Sequence, residues 1–423
     1  MPDLRLWPRG GLWRHRDFLR LWSAQTVSQF GTQISQLAIP LAAILVLDAS
    51  AFEVALLGTV EFLPFLLFAL PAGVWVDRLR RRPILVAADL GRGVALASIP
   101  IAYAADALTI WQLYAVGFVV GTLTVFFDVA YQSYLPSLVA RDQLVDGNAK
   151  LEVSRSGAQL AGPGVAGALV AAITAPFAIL VDAISFFGSA AFIFGIRHAE
   201  QLEEPAQQPN MRRELAEGLR YLLGHRYWRP IAISVAISNF FSNVTFSIVL
   251  VYAVRELDLS PGLIGLVLSV GNVGWLFGAL AATRLSARIG VGRTMVGSAM
   301  LFGPSMLLIP LAPKSIPVPF FVASLVLLSF GAVVFNVTGI SFQQAVTPDR
   351  MLGRLNATRR FIVWGVIPLG SLIGGTLASQ IGLRETLWVG AVGASLSFIP
   401  LLLSPVRSIG RMAEAVREHA PVA

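Results

Sequence analysis

The chain predicts an all-α membrane protein with twelve transmembrane helices in two pseudo-symmetric six-helix bundles. Three observations carry that prediction. Its 423 residues are 56% hydrophobic and 13% charged, with a mean hydropathy of +0.71, against roughly 45–50% and about 25% in soluble domains. Apolar runs recur at lengths that cross about 30 Å of hydrocarbon at ~1.5 Å per residue. Charges gather between these runs, where water can reach them.

Taken in order, the spans fall at 18–47, 53–77, 83–104, 109–134, 152–174 and 176–197, then at 229–254, 261–284, 292–312, 317–344, 356–381 and 385–404. Only Thr174-Ala175-Pro176 separates the fifth from the sixth. With the N-terminus in the cytoplasm, all but three of the 32 Lys and Arg fall on the inner side; the exceptions are Arg255, Lys314 and Arg384. This bias towards the cytoplasmic face requires an even number of spans. It places both termini inside a bacterial-type cytoplasmic membrane.

The longest polar stretch runs from Arg197 to Trp228. Residues 200–209 read as a linker. Met211 to Tyr227 then alternates Leu215, Leu219, Leu222 and Leu223 with Arg212, Arg213, Glu217 and Arg220, the pattern of an amphipathic helix on the inner membrane surface. The chain thus divides into an N-terminal bundle (1–197), a cytoplasmic linker (198–228), a C-terminal bundle (229–404) and a cytoplasmic tail (405–423). The halves echo each other. Asp142-Gln-Leu and Asn148-Ala149 lead into the fifth span as Asp349-Arg-Met and Asn356-Ala357 lead into and open the eleventh, and Gly58 of the second span corresponds to Gly265 of the eighth.

Several function classes fall away. The net charge of +8 follows from arginines gathered on one membrane face, so it implies no nucleic-acid partner. Without Cys there is no disulfide or thiolate chemistry. His15, His198, His225 and His419 lie in loops or tails without partners at ligand spacing, so neither a metal nor a cofactor is expected. No Gly-x-x-x-x-Gly-Lys-Ser/Thr loop is present to bind ATP. Arg5, Arg9, Arg14, Arg16 and Asp17 lead into a span far longer than the core of a cleavable signal.

Between the second and third spans stands Gly73-Val-Trp-Val-Asp77-Arg78-Leu-Arg80-Arg81-Arg82-Pro83. Each arginine would cost roughly 2.5–3.5 kcal/mol in hydrocarbon, so this is a loop at the membrane face, and its four arginines make that face cytoplasmic. The pattern Gly-x-x-x-Asp-Arg-x-x-Arg-Arg resembles the signature loop between helices 2 and 3 of the major facilitator superfamily of transporters. Trp75 stands where Leu is common there, and Arg80 where Gly is common. In the fifth span, Gly162-Pro163-Gly164 with Gly167 looks like the signature of that superfamily's antiporters, the exporters of drugs and other small organics. The chain as a whole is most similar to the branch of macrolide-efflux and siderophore-exporting proteins. The resemblance implies the major facilitator fold, alternating access, and a loop (Gly73, Asp77, Arg78, Arg81, Arg82) that gates the inner side. In that gate, Asp77 would meet the start of the eleventh span near Arg359 and Arg360.

Substrate contacts are expected from polar groups facing the centre. Gln25, Gln29, Gln33 and Gln36 form one stripe on the first span, and Asn239, Ser242 and Asn243 form another on the seventh with Phe246 alongside. Amides pointing at lipid would lose their hydrogen bonds. The stripes therefore face a cavity, or else serve as glue between helices. Among ionisable groups inside spans, Glu61, Asp182 and Asp128 are the proton-coupling candidates, with Glu61 first. Asp128 lies near the inner surface, where it also suits pairing with a basic loop. Asp89 and Arg92 are expected to pair with each other or with the loop. The expected function is proton-coupled export of small amphipathic organic molecules, by a monomer in the lipid bilayer. Nutrient import, or a membrane sensor that does not transport, stays open.

Overall fold

The computed structural model describes residues 11–76, 79–198, 200, 211–347 and 349–410; these are helical almost throughout and contain no strand. In a bilayer each backbone N–H and C=O must find its partner within its own segment, which leaves the helix as the available form for an apolar run. The first half contains α1 (Arg16–Leu45), α2 (Ala51–Val76), α3 (Arg81–Ala104), α4 (Ile110–Leu138), α5 (Leu144–Ile173) and α6 (Ala175–Phe194). After α7 (Met211–Gly224) come α8 (Trp228–Arg255), α9 (Pro261–Gly271), α10 (Val273–Ile289), α11 (Val291–Ser305) and α12 (Leu308–Leu311). The chain continues with α13 (Pro317–Val346), α14 (Asp349–Ile381), α15 (Leu383–Ser395) and α16 (Ile399–Leu402).

Ten segments are long and apolar enough to cross a membrane among the described residues. The stretch Pro261–Ile289 is one of them, although Asn272 breaks it into α9 and α10. The 30-residue α1 has the length, but its glutamines dilute its apolarity. In α14 only Gly365–Ile381 is apolar.

By packing, the chain forms two compact units, Met1–Leu47 with Leu63–Ala206 and Asp48–Phe62 with Gln207–Ala423. The expected division at 198–228 is therefore crossed by the first part of α2. The reason lies in small contacts with α8 and α14. Thr59 donates to the Pro368 carbonyl at 3.4 Å, and Arg255 donates to Asp48 and to the Ala49 carbonyl at 2.7 and 2.8 Å. At Gly375 an added Cβ would lie 2.6 Å from the Ala55 Cβ.

Within the first unit α1 packs on α5 and α6, and α3 on α4 and α6; within the second α8 packs on α14 and α15, and α11 on α13 and α15. The same pairing order thus occurs twice, as the internal similarity predicts. The joints repeat too. Asp48 and Asp258 both take positive φ (47° and 53°), and two residues later Ser50 and Ser260 cap the next helix. Thr174 alone turns α5 into α6, at φ 70° and ψ 160°; Gly382 does so between α14 and α15 at φ 98° and ψ 164°. Of the leucines expected on one face of α7, Leu222 is buried with Trp228 and Met295 while Leu219 and Leu223 are exposed, and the side chain of Leu215 lies outside the described residues.

Candidate functional site: an amide and aromatic cavity and a buried ion cluster

The second unit holds a half-open cavity of about 270 Å³ between α8, α11 and α13, with Ser397 at its edge. One wall is the stripe read from the sequence: Asn239, Ser242, Asn243 and Phe246 all line it. They do so because spacings of three and four residues put them on one helical face. Asn239 donates to the Val235 carbonyl at 2.9 Å, and Asn243 to the Asn239 carbonyl at 2.7 Å. Each amide thereby spends one N–H on its own helix and keeps its carbonyl oxygen for another donor. Opposite stand Phe302, Phe335 and Asn336, which the sequence reading missed. Asn336 carried a signal, as an amide in the middle of an apolar span. None of the described lining residues is charged; they offer neutral hydrogen bonding between aromatic faces. Phe246 also borders a smaller, wholly apolar crevice with Val249, Leu259, Ile264 and Phe321.

The glutamine stripe of α1 meets varied surroundings. Gln25 is buried, Gln29 and Gln33 are half-buried, and Gln36 is exposed. Gln33 donates to Gln36 at 3.2 Å, and its Cβ and Cγ lie over Gly162 of α5. Gly162, Pro163 and Gly167 are all buried. The glycine there acts as a seat for α1.

The three acids separate. Glu61 is half-buried on the part of α2 that groups with the second unit. Asp128 is exposed on α4, where it flanks Tyr131 together with Arg155 and Glu152 of α5. Asp182 is 1% exposed on α6 and accepts a hydrogen bond from Ser185 at 2.9 Å. Asp89 and Arg92 pair with each other, as expected, deep inside the first unit.

Of the loop residues, Asp77 and Arg78 lie outside the described residues, as do the side chains of Arg359 and Arg360. A Cβ at Gly73 would meet no atom within 4 Å among the described residues. Trp75 stacks on Phe126 of α4, with ring centroids 5.9 Å apart. Arg82 donates to the Phe194 carbonyl at the end of α6. Glu200, read from the sequence as part of a linker, caps α3: its two carboxylate oxygens accept the Arg81 and Arg82 backbone N–H groups, both at 2.7 Å. A carboxylate is favoured there because the first N–H groups of a helix have no partners within it.

A family model described as a transmembrane secretion effector matches residues 12–422. Among curated relatives, macrolide efflux protein A of Streptococcus pyogenes is 23% identical over 404 residues, spanning 93% of this chain and 97% of that protein. The multidrug efflux pump Tap of Mycolicibacterium fortuitum is 24% identical over 356 residues, spanning 80% and 84%. Among solved structures, a bacterial homologue of the iron transporter ferroportin in the inward-facing state superposes with a TM-score of 0.71 at 18% identity, covering 93% of this chain and 99% of that one. The nucleoside transporter NupG gives 0.72 at 12% identity, covering 92% and 98%. These structural likenesses establish the fold.

Proposed function

The chain belongs to the transmembrane secretion effector family of major facilitator transporters, and from that premise we propose that it exports small amphipathic organic molecules, of the macrolide or multidrug class, in exchange for protons. The observation that carries the substrate class is the amide and aromatic cavity wall, where Asn239, Asn243 and Asn336 stand among Phe246, Phe302 and Phe335. Such a wall suits molecules that combine ring or alkyl surface with a few hydrogen-bonding groups. The efflux pumps among its relatives support the export direction. Export runs by alternating access in a bacterial cytoplasmic membrane, with both termini in the cytoplasm and the monomer as the working unit. Glu61, Asp182 and Asp128 are the candidate proton carriers, and Asp77 the gating acid.

The test is export in proteoliposomes with erythromycin as the probe, comparing uphill movement driven by a proton gradient with downhill exchange. Uphill movement by the parent protein is the expected result. Glu61→Gln and Asp182→Asn each remove a titratable group at nearly constant size. Loss of uphill movement with downhill exchange retained identifies the carrier. An abundant, folded protein that moves neither erythromycin nor ethidium in either mode would overturn the export reading.

A further inference from the structure

One face of α8 changes character half-way along. Asn239, Ser242 and Asn243 border the amide cavity, whereas Val249, Leu250 and Ala253 border the apolar crevice. These positions recur at spacings of three and four, so they share a single helical stripe. Phe246 stands between the two groups and lines both spaces. It is 40% exposed, although Thr245 and Ile248 beside it are fully buried. A ring with free space on two sides can change rotamer and let the spaces join.

The crevice holds about 50 Å³ between α8, α9, α12 and α13, room for roughly three or four methylene-sized groups. It belongs to the interior of the second unit, not to a lipid-facing surface: Ala253, Leu259, Ile264, Val267, Ile309 and Phe321 are all buried. Space among apolar side chains forfeits the contacts that its walls would otherwise make. Water recovers nothing there, because none of the described lining side chains offers a hydrogen bond. An apolar group does recover those contacts. The nearest source of one is a molecule held in the amide cavity, on the other side of the Phe246 ring. From Asn243 to Val249 the helix rises about 9 Å, a distance that one alkyl chain can span.

We propose that the crevice is a second subsite for the exported molecule, that it takes an alkyl substituent, and that Phe246 is the specificity-determining partition between the two subsites. Asn239, Asn243 and Asn336 hold the hydrogen-bonding part in the cavity. The alkyl arm passes the Phe246 ring and ends among Val249, Leu250 and Ala253. Among amphipathic molecules the site therefore prefers elongated ones, with a neutral hydrogen-bonding head and one slender alkyl arm. The head lies towards the Trp228 end of α8 and the arm towards its Arg255 end. This rests on the cavity being the substrate site, as read above, and its test depends neither on proton coupling nor on transport.

The experiment is calorimetric titration of the purified full chain in lipid nanodiscs with N-alkylbenzamides, from methyl to decyl, against empty nanodiscs as reference. Affinity is expected to rise about fourfold per carbon over about three or four carbons, then to level off because the crevice has a fixed volume. Partitioning into the bilayer has no such limit, so a rise that continues in step with the empty nanodiscs overturns the subsite. Ala253→Leu fills the crevice and should abolish the rise; Val249→Phe is the second filling change, should the first impair folding. A folded filling variant that keeps the parent's rise overturns the subsite. Phe246→Ala should move the levelling point to longer chains, and an unmoved point removes the partition role. Absence of any rise, with a phospholipid found by mass spectrometry on the parent and lost from Ala253→Leu, assigns the crevice to a lipid chain and overturns the proposal. Rise and levelling in a protein that exports nothing leave the subsite standing and fell the export reading; erythromycin export without any rise does the reverse.

Discussion

Gly162→Ala tests whether the glycine in the antiporter-like stretch acts through packing. A Cβ on residue 162 would lie 2.5 Å from Gln33 Cβ and 2.7 Å from Gln33 Cγ of α1. Neither atom is the free end of a side chain, and Gln33 Cβ moves only with its backbone. Comfortable carbon contacts begin near 3.5 Å, so α1 and α5 must part by about 1 Å. Helix α1 has little room to yield, since on another side Gly31 already lies against Asp182 and Ser185 of α6. Overpacking of this kind costs about 1–3 kcal/mol. Gln33→Gly removes both opposing carbons, at about 1 kcal/mol for glycine inside a helix. The double variant is therefore expected to unfold at a higher temperature than Gly162→Ala alone, a coupling of about 1–2 kcal/mol. Thermal unfolding in detergent gives stability, and proteoliposome export gives function on the same preparations. Parent-like stability of Gly162→Ala refutes the packing account, as does an unfolding shift that Gln33→Gly leaves untouched.

Three further outcomes are expected. Thr174→Gly should stabilise the chain by about 1 kcal/mol, because φ 70° with ψ 160° is a region open to glycine and strained for a β-branched residue; an unchanged or lower unfolding temperature would contradict this. Glu200→Ala should cost about 0.5–2 kcal/mol, as a lost helix cap does, and should speed hydrogen exchange in the first turn of α3, whereas unchanged exchange at Arg81 and Arg82 would remove Glu200 from that role. Asn336→Leu, at normal abundance in the membrane, should raise the half-saturating erythromycin concentration about tenfold through one lost hydrogen bond; a parent-like value would take Asn336 out of the binding wall.

The sequence by itself determined the helical membrane class and the face that the α8 amides share. These are local properties: an apolar run of sufficient length must be helical in lipid, and residues three and four apart must share a face. Asn239, Ser242, Asn243 and Phe246 could therefore be placed on one stripe before any partner helix was known. The joint at Thr174-Ala175-Pro176 was the faintest of the breaks in the sequence, and the backbone of Thr174 decides it, at φ 70° and ψ 160°. Tertiary structure alone decided what each stripe faces. Phe335 and Asn336 join the cavity from α13, about a hundred positions along the chain, and no local periodicity relates them to α8. Glu200 reads as linker until α6 ends beside the start of α3. Glu61, Asp128 and Asp182 look alike as acids in apolar runs, and the fold leaves the first half-buried, exposes the second and surrounds the third with Ser185, Ser35 and the Asp89–Arg92 pair. A carboxyl's chemistry depends on the charges and dipoles within a few ångströms of it, and those neighbours are set by packing between helices distant in sequence.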